Sequence, residues 1–179
     1  MNIKTIKPHI LACRDGDWNH ALRVVKWVKV LGKGRSDLNL LITTALIHDI
    51  GWFNVLPKGK INFKVMLTYE YEANKNSKPF ATKLLTELNY NNKNIKTILR
   101  LISAADNHKA TKEDEEIIVD ADSLSKLSIN HLKEKYEPDS FKEIITMWKK
   151  EMPSRFKTKK GKELFSELLT ILQSQSADS

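Results

Sequence analysis

Residues 38–51, with the sequence LNLLITTALIHDIG, join an apolar helical pattern to two adjacent ionisable residues and decide the fold. The apolar residues recur at i, i+3, i+4, i+7 and i+8, the spacing of one stripe along an α-helix: Leu38, Leu41, Ile42, Ala45 and Leu46. Gly51 is expected to end this segment in a left-handed conformation. The pattern therefore places His48 and Asp49 in the interior, where a helix ends.

Ionisable side chains in apolar surroundings are costly unless something neutralises them, and a divalent metal ion would do so. Residues of the same kind recur on or beside apolar helical faces at His20 and at the pair Asp120 and Asp122. Two imidazoles with two carboxylates suit Mn, Fe, Ni, Co or Zn rather than a thiolate zinc site. Fewer than six protein ligands leave room for water, whose pKa a metal lowers. This donor set predicts a hydrolase.

The 179 residues, 41% hydrophobic and 29% charged, predict a single globular domain over 1–179. Its core is expected at about 17–172, with a frayed tail at 174–179. The single cysteine excludes an internal disulfide and suits a reducing compartment. Lysines interrupt the first ten residues, and no apolar run approaches the roughly 20 residues of a membrane span. The predicted location is cytoplasmic, without membrane contact.

The net charge of +8 raises the question of nucleic-acid binding, since Lys and Arg neutralise phosphates. The lysines are scattered, however, with one tight cluster within residues 157–162 that fits a solvated helix face. Scattered charge argues against nucleic acid as a partner. A phosphorylated small molecule would also benefit from a positive field around its site.

Helical spacing over most of the chain predicts an all-α bundle, and no stretch alternates with period two for long enough to be a strand. The region 53–68 reads as a loop, and Pro79 is expected to divide a later helix. The β-branched residues at 117–119 fit a strand by themselves, but the leucines that follow favour a helix. The predicted helices are 3–12, 18–31, 38–47, 69–88, 91–108, a segment from 117, 138–150 and 161–173.

The order of these residues resembles the H…HD…D signature of the HD-domain superfamily of metal-dependent phosphohydrolases. Four segments are similar to segments of that family, from its first-histidine helix to the C-terminal helix start of small bacterial members: 19–24 (NHALRV), 45–51 (ALIHDIG), 120–124 (DADSL) and 156–162 (FKTKKGK). The resemblance implies an all-helical fold, one or two divalent metals, and cleavage of phosphate esters or anhydrides, often in nucleotides.

Carried over to this chain, the resemblance assigns a metal ligand set of His20, His48, Asp49 and Asp122. Asp49 would also orient the attacking water. Asp122 is preferred to Asp120 because a short leucine-containing stretch follows the family's ligand. Asp120 would then lie at the surface or behind the ligands.

His108 matches a histidine that family members often carry at the end of the preceding helix. It is the candidate for protonating or stabilising the leaving group. The chain lacks the histidine that larger dinuclear members carry, around residues 73–77, and the glutamate that some nucleotidases use after the HD pair. Both absences favour a single metal.

Three further residues are candidate substrate ligands. Arg14 and Trp18 flank the loop before His20, where they would hold a phosphate and stack on a base; Lys58 follows the HD pair and would approach the same anion. The alternatives are a surface arginine, a core tryptophan and a solvated lysine.

Two other functions remain open at this point. A catalytically silent HD-like domain would bind a nucleotide or a protein partner with little or no metal, and a nucleic-acid-binding protein would show strongly salt-dependent affinity. His131 has no matching neighbours in the sequence and is expected to be structural. Glu70 and Glu72 are candidates for a catalytic carboxylate, but a solvent-facing helix explains them more simply.

Overall fold

The computed structural model describes residues 3–56 and 58–177, and this part of the chain is all-α, as predicted. The helices found there are α1 (Ile3–Leu11), α2 (Asp17–Leu31), α3 (Leu38–Ile47), α4 (Phe63–Glu87), α5 (Asn92–Asn107), α6 (Glu113–Lys126), α7 (Ile129–Lys135), α8 (Phe141–Glu151) and α9 (Lys159–Ala177). Three 3₁₀ turns connect some of them, at His48–Trp52, Pro138–Ser140 and Met152–Ser154. The single-domain organisation stays a prediction.

Helix α2 lies at the centre of the packing, between α3 and α6, and α5 contacts α3, α4 and α6. The buried faces of these helices form one hydrophobic cluster. A second cluster lies under α7, α8 and α9. Trp27 and Leu31 of α2 pack against both clusters, so α2 joins the two halves of the core.

Helix α3 has the predicted bounds, but the residues that follow it differ from the sequence expectation. Helix α3 stops at Ile47, and residues 48–52 form a 3₁₀ turn in which Gly51 does not have a positive φ. Gly51 is required for a different reason: a Cβ there would lie 2.1 Å from the carbonyl oxygen of Ala73 and 2.5 Å from Ser77 Oγ. The turn therefore packs directly on the backbone of α4.

Helix α4 is longer than predicted, because it begins at Phe63 and continues unbroken through Pro79. Asn62 caps its start by accepting a hydrogen bond from the Lys64 amide at 3.0 Å. Its buried face continues on both sides of Pro79, with Ala73, Ser77, Ala81 and Leu84. We attribute the continuity to this packing, which offsets the hydrogen bond that the proline cannot donate.

The remaining elements agree with the helical interpretation of the sequence. Residues 117–119 belong to α6 and not to a strand. Helix α9 continues to Ala177, so residues 174–177 are helical where a frayed tail was expected; residues 178 and 179 lie outside the described residues. Over the described part of the chain, no helix is long and apolar enough to cross a membrane.

Candidate metal centre

Three elements bring four predicted ligands to one point: α2 carries His20, the 3₁₀ turn carries His48 and Asp49, and α6 carries Asp122. His20 Nε2 lies 3.1 Å from His48 Nε2 and 3.2 Å from Asp122 Oδ1, and His48 Nε2 lies 3.5 Å from the same oxygen. Asp49 is slightly farther away, with its oxygens 3.6 Å from His20 Nε2 and 3.8 Å from His48 Nε2. Ligand atoms about 2.1 Å from a common ion lie about 3.0–3.4 Å apart, which is close to the separations among His20, His48 and Asp122; the separations of Asp49 are longer.

Hydrogen bonds at the outer ring nitrogens fix the tautomer of both histidines. His48 Nδ1 lies 3.0 Å from the carbonyl oxygen of Ala45, which can only accept, so Nδ1 carries the proton. Ser125 Oγ donates to the carbonyl oxygen of Asp122 at 2.7 Å and therefore accepts from His20 Nδ1 at 3.0 Å. In these tautomers both rings direct Nε2 inward, as metal-binding histidines do, and a metal ion would replace any proton that His48 Nε2 binds.

The buried oxygen of Asp122 indicates that a cation belongs between these groups. Asp122 is 3% exposed, and its Oδ1 accepts no hydrogen bond within residues 3–56 and 58–177. Two inward lone pairs and an unpaired carboxylate oxygen repel one another unless a positive charge lies among them. His20, His48 and Asp122 form a group of metal-ligating type whose ligand atoms lie within 4.8 Å of one another. The donor set thus fits the divalent ion that the sequence predicts.

The two imidazoles differ in proton affinity. Burial and the nearby Lys135 lower the pKa of His20 to about 3. Burial also lowers the pKa of His48, but Asp49 and Asp122 outweigh it and raise the value to about 9. His48 Nε2 therefore attracts a positive charge strongly, whether a proton or the metal ion that competes with it.

Basic side chains contact both carboxylates, on Asp49 Oδ2 and on Asp122 Oδ2. Arg14 Nη2 lies 3.0 Å and Lys135 Nζ lies 3.4 Å from Asp49 Oδ2, and Lys126 Nζ lies 2.7 Å from Asp122 Oδ2. Burial raises the pKa of both carboxyls, but the cations outweigh it and keep both values well below the usual range. Both carboxylates are therefore ionised at neutral pH.

A cavity of about 90 Å³ opens beside these groups. Its lining includes the four predicted ligands together with Arg14 and His108. It also includes residues that the sequence did not single out as site residues, or assigned to structural or solvent-facing positions: Glu70, Asn74, Asp106, Lys126, His131, Lys135 and Tyr136. Lys126 lies four residues after Asp122 on α6, a spacing that could have identified it, whereas the spacing gives no such signal for Lys135.

The structure does not favour the proton-donating role predicted for His108. Arg155 Nη1 donates to His108 Nε2 at 3.0 Å, and burial and Lys126 lower the pKa of His108 to about 3. The ring is therefore neutral near pH 7 and has no acidic proton to donate. Asp106 lies two residues earlier on the same cavity wall, and burial raises its pKa to about 7. Asp106 is the better candidate for a proton donor.

Trp18 and Lys58 do not line this cavity. Trp18 packs against the first hydrophobic cluster, with Lys7 Nζ 5.7 Å from its ring centroid, so its face is not directed at the candidate ligands. Lys58 Nζ donates to the carbonyl oxygens of Leu11 and Cys13, which ties the loop after the HD pair to the end of α1. Their substrate roles stay predictions that the geometry does not favour.

Asp120 lies apart from the ligands but is not at the surface. It is fully buried and accepts hydrogen bonds from the Lys157 amide at 2.9 Å and the Thr158 amide at 2.8 Å. A Cβ on Gly161 would lie 2.3 Å from Asp120 Oδ2, so glycine is needed there for the close packing. Asp120 therefore anchors the start of α9 to α6, and Asp122 is the aspartate that faces the histidines.

The sequence model of a protein family described as HD domain matches residues 17–127. No curated protein and no solved structure matches the chain. The matched segment contains His20, His48, Asp49 and Asp122, whereas Arg14, His131 and Lys135 lie outside it. Because the match covers more than half of the chain, this protein belongs to the HD-domain family.

Proposed function

We infer that the protein is a metal-dependent phosphohydrolase that acts on a phosphorylated small molecule, with nucleotides as the class that the family resemblance suggests. The observation that carries this proposal is the convergence of two imidazole Nε2 atoms on the unpaired Asp122 Oδ1, beside a cavity lined by basic residues. Membership of the HD-domain family supports the same reaction class.

The charges around the centre favour a doubly negative substrate group. Arg14, Lys126 and Lys135 balance the carboxylates of Asp17, Asp49 and Asp122, which they contact directly. A divalent ion added to these pairs brings two positive charges, which the Glu70 carboxylate on the cavity wall offsets only in part. A phosphoryl dianion would neutralise that excess, whereas a neutral substrate would leave it uncompensated.

A divalent cation at this place lowers the pKa of water and withdraws charge from a phosphoryl oxygen. His20, His48 and Asp122 would hold it. Asp49, which has a carboxylate 17% exposed to the cavity, would accept a hydrogen bond from the attacking water and orient it toward phosphorus. The new bond would join the water oxygen to phosphorus as the bond to the leaving oxygen breaks, and the proton lost by the water would pass through Asp49 to solvent. Asp106 would transfer its proton to that leaving oxygen.

The test is a panel of nucleoside mono-, di- and triphosphates, cyclic nucleotides and sugar phosphates, assayed with Mn, Co, Ni and Zn in turn. We expect the wild-type protein to hydrolyse at least one compound in a metal-dependent way, measured as released phosphate or pyrophosphate or as the nucleotide product. Asp122→Asn should lose activity and at least about 100-fold in metal affinity, since loss of a mere supporting residue costs 10- to 100-fold. Asp120→Asn, two residues away and outside the ligand group, is the matched control and should bind metal normally.

Two results would contradict the proposal. Metal binding without hydrolysis of any compound would indicate a catalytically silent domain. Equal metal affinity in Asp122→Asn and the wild-type protein would remove the metal centre itself.

A further inference from the structure

We propose that Lys135, which lies outside the matched HD segment, is a substrate-binding residue that holds a phosphoryl oxygen beside Arg14. This inference rests on the proposed function and adds a second cationic side chain, next to that of Arg14, to the same site. It is carried by the burial of the lysine, by its partners and by its place on the cavity wall.

Lys135 ends α7, yet it is only 5% exposed. Its ammonium lies 2.5 Å from Asp17 Oδ1 and 3.4 Å from Asp49 Oδ2. Asp17 is fully buried and also contacts Arg14, at 3.2 Å from Nε and 3.1 Å from Nη2. One buried carboxylate thus holds two cations side by side, and both of them reach Asp49.

Both cations keep donors for a further anion. An ammonium has three N–H donors, and among the described residues Lys135 donates a hydrogen bond to Asp49 Oδ2, at 3.4 Å, while Asp17 Oδ1 is an ion-pair partner. Arg14 uses Nε and Nη2 for the same two carboxylates, so in the described part of the chain its Nη1 has no acceptor. Lys135 and Arg14 both line the cavity, and these donors are available to a ligand there.

The surrounding backbone holds the lysine in this position. Gly16 lies so close that a Cβ on it would be 3.0 Å from Lys135 Cγ, and its φ of 78° also favours glycine. The carbonyl oxygen of Lys135 accepts from the Ile61 amide at 3.1 Å, which fixes the end of α7 to the loop after the HD pair. Lys133, two residues earlier on α7, is exposed. The fold therefore buries one lysine of this helix selectively.

A purely structural role explains this arrangement poorly. A buried ion pair is expensive to desolvate, and the two cations only balance Asp17 and Asp49 while no metal ion is bound. The positive charge of Lys135 becomes available to a ligand when the carboxylate of Asp49 faces a bound metal ion and a phosphoryl group enters the cavity. Charge-assisted hydrogen bonds from an ammonium and a guanidinium are the usual means of holding phosphate.

The test compares Lys135→Met with Lys133→Met, a matched control on the exposed face of the same helix. Binding of inorganic phosphate is measured with Mn²⁺ and with chelator, together with the KM and kcat of the best substrate and the thermal midpoint. We expect Lys135→Met to weaken phosphate binding and raise KM by about 10- to 100-fold, the value of a charged hydrogen bond. Lys133→Met should change neither.

If Lys135→Met does not fold, Lys135→Gln replaces it, because its amide still donates to Asp17 while the charge is lost; it should show the same loss of phosphate affinity. A folded Lys135 variant with unchanged phosphate affinity and KM would overturn this inference and leave the proposed function intact. Phosphate binding that depends on Lys135, in a protein that hydrolyses no phosphate compound, would overturn the proposed function and leave this inference standing.

Discussion

A single hydroxyl group, that of Ser125, connects the backbone of α6 to a ligand histidine. It donates to the carbonyl oxygen of Asp122 and so must accept from His20 Nδ1. This bond orients the ring and keeps Nε2 free for a metal ion. Partners of this kind, which contact a ligand and not the metal, still affect metal affinity.

We therefore expect Ser125→Ala to weaken metal binding by about 10- to 100-fold, because His20 loses the acceptor that fixes its tautomer. Titration with Mn²⁺ or Co²⁺ measures the effect. Ser123→Ala is the matched control: Ser123 is also fully buried on α6, but its hydroxyl has no partner among the described residues. Equal metal affinity in the two variants would show that the bond from Ser125 does not orient the ligand.

Residue type and spacing were sufficient to select His20 and His48 and to narrow the last ligand to Asp120 or Asp122, because ionisable groups on apolar helical faces need a partner; the family resemblance chose Asp122. They were insufficient for Trp18 and His108. A tryptophan near the site packs into the core or faces a substrate depending on side-chain direction, which the local sequence does not determine. The contact of His108 with Arg155, 47 residues away, is a tertiary interaction.

At the scale of elements, a cluster of charged side chains connects α5, which carries Asp106, to α6, which carries Asp122. Arg100 of α5 contacts the carboxylates of Asp114 and Glu115 at the start of α6. Glu115 also accepts from the Thr111 amide at 2.7 Å and the Thr111 hydroxyl at 2.8 Å. Burial raises the pKa of Glu115, but these bonds outweigh it and lower the value from 4.5 to about 2.

Because the folded-state pKa lies below the unfolded-state value, this carboxylate stabilises the fold fully above about pH 4.5 and loses its contribution as the pH falls toward 2. We expect Glu115→Gln to lower the free energy of unfolding near neutral pH by about 3 kcal/mol, with the difference shrinking in acid. Urea unfolding at a series of pH values measures it.

The control is Glu116→Gln on the same turn, whose side chain accepts no hydrogen bond in the described part of the chain. It should change stability by less than about 0.5 kcal/mol. If the free energy of unfolding of Glu115→Gln differs from that of the wild-type protein by a constant amount from about pH 6 to 2, the charge of the carboxylate does not stabilise the contact between α5 and α6.

The existence of these helices was predictable from periodicity, and so were the bounds of α2, α3 and α5 to within one residue, but the bounds of α4 and the role of Gly51 were not. The local sequence at Pro79 predicts a break in the helix, whereas the buried face of α4 continues on both sides of this residue. Gly51 reads locally as a helix stop, whereas the structure uses it for close contact with Ala73. In both cases a neighbouring element decides the local conformation, since packing outweighs intrinsic preference.

At the scale of the whole molecule, the candidate centre joins segments that are far apart in the chain. His20, His48 and Asp122 converge because α2 lies between α3 and α6. An ion bound by all three segments would hold the folded state together and would not find the same ligand set in the unfolded chain.

A divalent ion should therefore stabilise the protein. At 100 times its Kd, we expect about 2.7 kcal/mol, or roughly 5–10 °C in the thermal midpoint for a chain of this size. Calorimetry with Mn, Co, Ni and Zn, followed by excess chelator, measures the shift and its reversal. Asp120→Asn should keep the shift and His20→Ala should lose it; a midpoint unaffected by every ion would contradict the assignment of the centre.

The sequence by itself determined the helical class, the candidate ligands and the family, because periodicity and residue type are local properties of the chain. Only the tertiary structure brought Lys135 to Asp17, separated Asp122 from Asp120, and placed Asp106 on the cavity wall. The physical reason is that burial and charge depend on which elements pack together. Spacing along one helix cannot show which groups a distant helix will place against it.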